Sequence, residues 1–257
     1  MTSKAKLLAV VSAAFVVTAS SWAGLSYTGT MKSEGGPGGQ PMTMKSRVRI
    51  EGQSLKVEFV ESSNPVMQAG SYMVTKDGGQ IFHMVNPKEK SYMKWDMAML
   101  GGMTAMMKME VSDLKTETLL DEAGPTMLGY PTRHYKFKTS YKMEMAFFGM
   151  KQSNSMVQEE EAWATTKFDA STIELVNKMK LNKSGNEKLD NLIAEQAKKI
   201  KGFPLKQITV TTGADKSGKA NTSRTTMEAT EFKESRIPAG EFEIPADYKE
   251  QALAGPQ

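Results

Sequence analysis

Apolar and charged side chains alternate one by one along several stretches of this chain, and this period of two constrains its fold most. Val48 and Ile50, for example, stand between Arg47, Arg49 and Glu51. A β-strand places successive side chains on opposite faces of its sheet, so the alternation predicts half-buried strands. Turns rich in Gly, Pro and Asn separate these runs between residues 25 and 95. Such short connections favour an antiparallel meander, because parallel strands need long crossovers.

The longest alternating run begins after Pro131. Apolar side chains occupy the odd positions from Tyr135 to Phe147 except Thr139, and most of the even positions carry charge. A straight strand of this length would reach roughly 43 Å, which exceeds the usual length of a strand. We therefore expect a strong twist, a bend or a bulge there.

Helical patterns occupy a smaller part of the chain. Ser171 with Glu174 and Ser184 with Glu187 match capping boxes, which mark the starts of helices. Apolar residues recur at helical spacing between residues 189 and 200, and Gly202 follows as a cap. The uncharged, methionine-rich segment 96–110 also fits a helix, broken near Gly101 and Gly102.

These patterns together predict an α+β fold, in which a curved antiparallel sheet carries a few helices over its concave face. An antiparallel sheet with one apolar face must cover that face. Because few helices are available, the covered space is expected to stay partly open and apolar, which favours binding over catalysis. No linker divides the chain, so residues 24–250 are predicted to form a single domain, followed by a flexible tail over residues 251–257.

The first 23 residues have the features of a signal peptide. Lys4 and Lys6 precede the apolar run Leu7–Val17, and small residues up to Ala23 suit cleavage. We therefore expect a periplasmic location. The two leader lysines supply half of the net charge of +4, so the remainder is too close to neutral to favour nucleic acid. The chain has no cysteine, which excludes disulfides, thiolate metal sites and thiol catalysis.

Catalytic motifs are not evident in the sequence. His83 and His134 lie in predicted strands without a second ligand at metal-binding spacing. The segment from Gly213 to Lys219 approaches a phosphate-binding loop, but Ala220 replaces the hydroxyl residue, so a hairpin turn fits better. We therefore expect a protein that is not an enzyme and that uses no cofactor.

Methionine is unusually abundant, with 21 residues. Several form Met-x-Met pairs: Met42/Met44, Met97/Met99, Met107/Met109 and Met143/Met145. Three interpretations remain open. The pairs fill the core on one face of the sheet, they form an adaptable lining for apolar ligands, or their thioethers bind Cu(I).

Several stretches carry a resemblance to a known family. They are 27–32, 42–49, 72–79, 86–92 and the closing 237–248. They are similar to an exported bacterial family called domain of unknown function 4412, which itself resembles the outer-membrane lipoprotein carrier (LolA/LolB-like) superfamily. The resemblance implies a curved antiparallel half-barrel with helices across an apolar cavity that accepts acyl chains. It carries over no ligand-binding residues.

The main hypothesis is therefore a periplasmic protein that binds or carries a lipid, a lipoprotein acyl chain or another apolar ligand. We expect a monomer that makes transient contacts with envelope proteins or a membrane surface. The expected lid or cavity wall comprises Met97, Met99, Leu100, Met103, Met106 and Met107, and the expected sheet floor comprises Tyr135, Phe137, Tyr141 and Met143.

Two other hypotheses are kept. One is a soft-metal protein that binds Cu(I) through Met42, Met44, Met97, Met99, Met107 and Met109. The other is an envelope structural or stress protein with a filled core and no small ligand.

Overall fold

The computed structural model describes residues 24–35, 40–97, 108–147, 150–168, 170–180, 187–214 and 220–252. Within these residues, twelve strands form a single open sheet in the order β12-β6-β5-β4-β3-β2-β1-β11-β10-β9-β8-β7. The strands are β1 (Leu25–Glu34), β2 (Met42–Glu51), β3 (Ser54–Ser62), β4 (Tyr72–Thr75), β5 (Ile81–Asn86), β6 (Ser91–Asp96), β7 (Lys108–Ala123), β8 (Arg133–Phe147), β9 (Met150–Thr165), β10 (Phe203–Ala214), β11 (Ala220–Glu234) and β12 (Lys249–Gln251).

Two meanders build this sheet and meet at its centre. Strands β1 to β6 follow one another as antiparallel neighbours, as the alternation predicts, and β7 to β11 do the same. The meanders join where β1 pairs antiparallel with β11, which brings Leu25 opposite Glu234. The edge strand β12 departs from the predicted antiparallel pattern, because it pairs parallel with β6 over three residues.

The irregularity expected in the long strand after Pro131 lies in its neighbour instead. Strand β8 pairs with β9 without interruption from Arg133 to Phe147. Against β7, however, the register shifts twice, between Ser112 and Lys115 and between Thr118 and Leu120. Each shift inserts one extra residue into β7 relative to β8, which is how a β-bulge disrupts a ladder.

Part of the methionine-rich segment was expected to be helical and is extended. Lys108 to Glu110 begin strand β7, where Met109 stands opposite Met145 of β8. Pairing with a long, regular partner strand outweighs the local helical preference of these residues. Asp96 likewise ends strand β6.

Two helices are described, α1 (Ala170–Lys180) and α2 (Glu187–Lys199). Helix α1 begins at Ala170, one residue before Ser171, where the sequence predicted its start. Helix α2 ends at Lys199, and Gly202 has a φ of 103°, as expected for a residue that ends a helix. None of the described helices is both long and apolar enough to cross a membrane.

Helix α1 packs on one face of the sheet, called here the helix face. Leu175 joins a core cluster with Val48, Val57, Phe59 and Phe82. The cross-strand register explains why residues from so many strands contribute to this core cluster. Residues paired in sequence across β1 to β6 form one apolar row: Tyr27, Val48, Val57, Met73, Met84 and Met93.

The C-terminal segment covers the opposite face of β4 to β6. This strap, residues 237–248, buries Ile237 and Phe242 against Tyr72, Val74 and Val85. A short 3-10 helix, Ala239–Phe242, turns Phe242 inward. The first meander is therefore covered on both faces, by α1 on one side and by the strap on the other.

Candidate functional site: an apolar cavity on the helix face

Three small residues stand side by side at the centre of the helix face. Gly29 of β1 lies directly opposite Ala229 of β11 on one side and Ser46 of β2 on the other. The missing side-chain volume leaves a cavity of about 260 Å³ beneath α1. A glycine inside a strand often marks a place where another group approaches the backbone closely. We call Ala229, Gly29 and Ser46 the small-residue row.

Methionines form one wall of the cavity. Met31 stands opposite Met227 of β11 and opposite Met44 of β2, so these three side chains form a methionine row beside the small-residue row. Met67 and Met73 line the cavity from the side of β3 and β4. Methionine side chains are flexible and polarizable, so this wall can adapt to apolar ligands of different shape.

Aromatic rings close the opposite end of the cavity. Tyr27 meets Phe203 edge to face, with the ring centroids 5.2 Å apart. Phe203 packs in turn against Phe168 and Phe232, at 5.1 and 5.7 Å. Burial raises the pKa of Tyr27, which keeps its phenol neutral. This end of the cavity is therefore uncharged and closely packed.

Helix α1 contributes the cover. Val176 lines the cavity and also contacts the core clusters on either side of it. Met227 leaves 46% of its surface exposed, so solvent reaches the methionine row on the β11 side.

Few polar groups face this cavity. The hydroxyl of Ser46 donates to the backbone carbonyl of Gly29 at 3.4 Å. The Gln207 side chain lines the cavity and donates from Nε2 to Oε1 of Glu160 at 2.7 Å. Glu160 is only 9% exposed, so a carboxylate lies buried immediately beside an apolar space. Burying a charge is costly unless hydrogen bonds compensate, which the Gln207 amide does in part.

The predicted floor residues lie on β8, outside the cavity lining. Tyr135 and Phe137 are buried with Ile200, which follows α2. Burial raises the pKa of Tyr135 and of Tyr141. Tyr141 and Met143 are half-buried farther along the same strand. All four residues lie on the helix face with the cavity. Tyr135 stands opposite Ala162 of β9, and Ala162 stands opposite Gln207 of β10, which lines the cavity; the other three residues follow Tyr135 at even spacings along β8.

The predicted lid falls mostly outside the described residues. Met99, Leu100, Met103, Met106 and Met107 all lie there. Met97 is described and packs against the core cluster that contains Leu175.

Of the alternative metal ligands, Met44 and Met97 pack against the same core cluster, and Met99 and Met107 lie outside the described residues. Met44 lines the cavity, whereas Met42 accepts a hydrogen bond from Asn64 Nδ2 at 3.5 Å. Met109 lies in β7, at the edge of the sheet. Among the described residues, no group of three His, Cys, Asp or Glu side chains could hold a metal ion. The two histidines lie in strands as predicted. The Nε2 atom of His134 is hydrogen-bonded to Oε1 of Glu161 at 2.8 Å.

Sequence reasoning missed most of the cavity lining. Gly29, Met31, Met67, Val176 and Met227 were not among the predicted site residues. Gly29 offered a signal, since a glycine between two threonines in an otherwise regular strand weakens that strand unless something uses the space. The pairing of β1 with β11, which assembles the cavity, joins residues about 200 positions apart and has no local signature.

Comparison with known proteins gives a family and several distant structures, of which two are described below. The family described as Domain of unknown function (DUF4412) matches residues 31–248. No curated protein sequence is significantly similar to the chain. The structure of PNGF-II in space group C2 is 10% identical with a TM-score of 0.34; the match covers 89% of this chain but only 31% of PNGF-II.

A domain from Vibrio parahaemolyticus, provisionally described as an outer-membrane lipoprotein-sorting protein, is 9% identical with a TM-score of 0.32. That match covers 87% of this chain and 90% of the domain. Because both TM-scores are this low, nothing about the function of this chain is inferred from these two proteins.

Proposed function

The chain belongs to the family described as Domain of unknown function (DUF4412), and we propose that it is a non-enzymatic periplasmic protein that binds a lipid, an acyl chain or another apolar ligand on the helix face. The single observation that carries this proposal is the cavity over the small-residue row. Its volume of about 260 Å³ and its apolar lining suit a small apolar ligand.

The volume indicates what size of ligand fits. A cavity of ~150 Å³ holds one benzene molecule, so this one suits roughly ten carbon atoms. That corresponds to part of an acyl chain, with the remainder leaving past Met227 toward solvent. The methionine row suits such a chain, because it can repack around different lengths.

The cavity chemistry favours binding over catalysis. Ser46 is the hydroxyl of the small-residue row, and it donates to the Gly29 carbonyl, not to a base. A nucleophilic hydroxyl needs a neighbouring base that accepts its proton. Tyr27, held neutral by burial, likewise offers no anionic group.

The first experiment is native mass spectrometry of protein purified from the periplasm, followed by organic extraction. A co-purifying mass that extracts as lipid would support the proposal and identify the ligand class. A clean apoprotein mass would shift the balance toward a structural protein without a ligand.

A matched pair of variants then locates the site. Ala229→Leu places three additional carbon atoms in the cavity, and it should abolish lipid binding while leaving the protein folded. Thr230→Leu adds bulk at the next residue of β11, whose side chain lies on the opposite face and bonds the Thr28 carbonyl. It should bind lipid as the wild type does. Equal binding by both variants would place the ligand elsewhere.

A second candidate function is Cu(I) binding, which the methionine row favours. Side chains directly opposite each other on neighbouring strands have Cβ atoms ~4.5–5.5 Å apart. The thioethers of Met227, Met31 and Met44 could therefore converge on one soft ion. Titration with Cu(I) under reducing conditions tests this function, and Met31→Leu, which removes the central thioether, should abolish uptake. No Cu(I) uptake by the wild type would dismiss it.

A further inference from the structure

The most exposed methionine side chain that the structure describes belongs to the wall of the apolar cavity. Met227 leaves 46% of its surface exposed, whereas every other methionine side chain in the described part of the chain is buried or half-buried. Met227 also lines the cavity, as the β11 member of the methionine row. A side chain that solvent reaches is therefore part of a wall against which an apolar ligand would pack.

Methionine is an apolar residue whose polarity can change by oxidation. A peroxide such as hydrogen peroxide transfers one oxygen atom to the thioether sulfur, which gives methionine sulfoxide. The O–O bond of the peroxide breaks and an S–O bond forms, so the sulfur is oxidised by two electrons while the hydrogen peroxide is reduced to water. The sulfoxide is polar, and its formation disrupts methionine-rich interfaces.

The position of Met227 gives this change a direct effect on the cavity. Met31 of β1 stands opposite Met227 on one side, and Gln207 of β10 stands opposite it on the other. Side chains at such positions have Cβ atoms ~4.5–5.5 Å apart. An oxygen on the Met227 sulfur would thus lie beside the apolar space that Met31 also lines. An acyl chain that covers this oxygen must remove its water, which is unfavourable without a new hydrogen bond.

The neighbouring methionines are better protected from an oxidant. Met31 and Met44, the other members of the methionine row, are half-buried. Met84, in the core cluster that contains Leu175, is only 4% exposed. An oxidant reaches a buried sulfur only when the fold opens locally, which costs free energy. Met227 needs no such opening, so its sulfur should react first and the fold should persist.

Resting on the function proposed above, we infer that Met227 is a site of reversible oxidation, through which a peroxide weakens the binding of apolar ligands. The sulfoxide places a polar group in the cavity wall, while the sheet and the core clusters stay intact. Methionine sulfoxide reductases reverse the change, with one enzyme for each sulfoxide epimer. In that reaction a dithiol supplies two electrons and becomes a disulfide, and the oxygen leaves as water.

Peptide mass spectrometry after brief treatment with hydrogen peroxide tests the site itself. Met227 sulfoxide should form before the sulfoxides of Met31, Met44 and Met84. Saturating decanol should slow the oxidation of Met227, because the bound chain covers its side chain. Met156 is the internal control, since it lies in β9 and outside the cavity lining. Decanol should leave the oxidation rate of Met156 unchanged.

The affinity for decanol, measured by displacement of an apolar fluorescent dye, tests the consequence. Oxidation of Met227 should raise the dissociation constant of the wild type about tenfold, a difference of ~1.4 kcal/mol. Treatment with both methionine sulfoxide reductases and dithiothreitol should restore the original value. Met227→Leu has no sulfur at this position, so peroxide should change its dissociation constant by less than about twofold. Met156→Leu is the matched control, and peroxide should weaken its binding as in the wild type.

The outcomes separate this inference from the proposed function. Oxidation of Met227 without a loss of decanol affinity, or oxidation of Met31 before Met227, would overturn the inference and leave the cavity as a lipid site. Equal losses in Met227→Leu and the wild type would assign the effect to another methionine and would also overturn it. If the untreated protein binds no decanol, both proposals fail. Oxidation and rescue of the wild type decide on their own, so a variant that does not fold does not protect the inference.

Discussion

The Ser46 hydroxyl donates to the backbone carbonyl of Gly29 across the β1–β2 pair, at a distance of 3.4 Å. The bond turns the one hydroxyl of the small-residue row toward the strand backbone, so the floor of the cavity presents mainly apolar atoms. Replacing Gly29 would disturb this arrangement, because a Cβ there would come within 3.1 Å of the Ser46 oxygen.

Ser46→Ala should therefore leave ligand binding intact. The substitution removes one long hydrogen bond between neutral groups, so the free energy of unfolding should fall by no more than ~1 kcal/mol. Urea denaturation and lipid-binding assays on the same preparation check both parts. A loss of binding with unchanged stability would mean that the hydroxyl itself contacts the ligand.

Phe203→Ala should be among the most destabilising single changes. Phe203 is 2% exposed and contacts the rings of Tyr27, Phe168 and Phe232. Truncating a buried phenylalanine costs ~3–5 kcal/mol through lost burial and the cavity that remains. Phe203→Leu should cost clearly less, as measured by urea denaturation. Equal losses for the two variants would show that ring packing contributes little.

Phe242→Ala should separate stability from binding. Phe242 is a strap residue that is only 2% exposed, and it packs on the face of the sheet opposite the cavity. We expect a loss of ~3–5 kcal/mol in the free energy of unfolding, with lipid affinity unchanged in the fraction that stays folded. Lys76→Ala breaks the exposed 2.8 Å pair with Glu243 on the same strap and should cost less than ~1 kcal/mol. If Phe242→Ala weakens lipid binding, the two faces are coupled.

Asp77 should contribute to acid sensitivity. Burial alone would raise its pKa, but hydrogen bonds from the Thr75 hydroxyl and the backbone amides of Ile81 and Gln80 hold the pKa below its ordinary value. A lowered folded-state pKa adds stability above the unfolded pKa, and that stability is lost as the pH falls through the folded pKa.

Asp77→Asn should accordingly lower stability near neutral pH and flatten the decline of stability in acid. Thermal unfolding of both proteins between neutral pH and the acid range measures the effect. Glu89→Gln serves as the control, since its side chain is exposed in a turn of the same meander. Parallel curves for Asp77→Asn and the wild type would contradict the assignment.

Local patterns were sufficient for much of the fold. The alternation around Val48 and Val57 predicted half-buried strands, and the register confirms that these residues pair across β2 and β3. Strands β10 and β11 pair antiparallel up to Ala214 and Ala220, on either side of the segment for which a hairpin turn was predicted. The resemblance to the DUF4412 family is confirmed over residues 31–248.

The features that sequence reasoning missed depend on distant parts of the chain. Strand β7 escaped prediction because Asp113, at a φ of 53°, and the second bulge near Leu119 interrupt its period of two. The cavity escaped because it needs the register of β1 against β11, which sets Ala229 beside Gly29. Neither signal can be read from a window of ten residues.

The pairing of β1 with β11, called here the seam, also determines when the cavity can form. Within each meander most paired strands are close in sequence, except β9 and β10, which the segment with the two helices separates. Contacts between residues close in sequence assemble early. Leu25 can meet Glu234 only after nearly the whole domain has been made available, and closing so large a loop is entropically slow. Because the small-residue row crosses this seam, the cavity is the last part of the sheet to appear. A chain that has been made only as far as β6 contains the first meander and no cavity, so the proposed ligand binding is confined to the finished molecule.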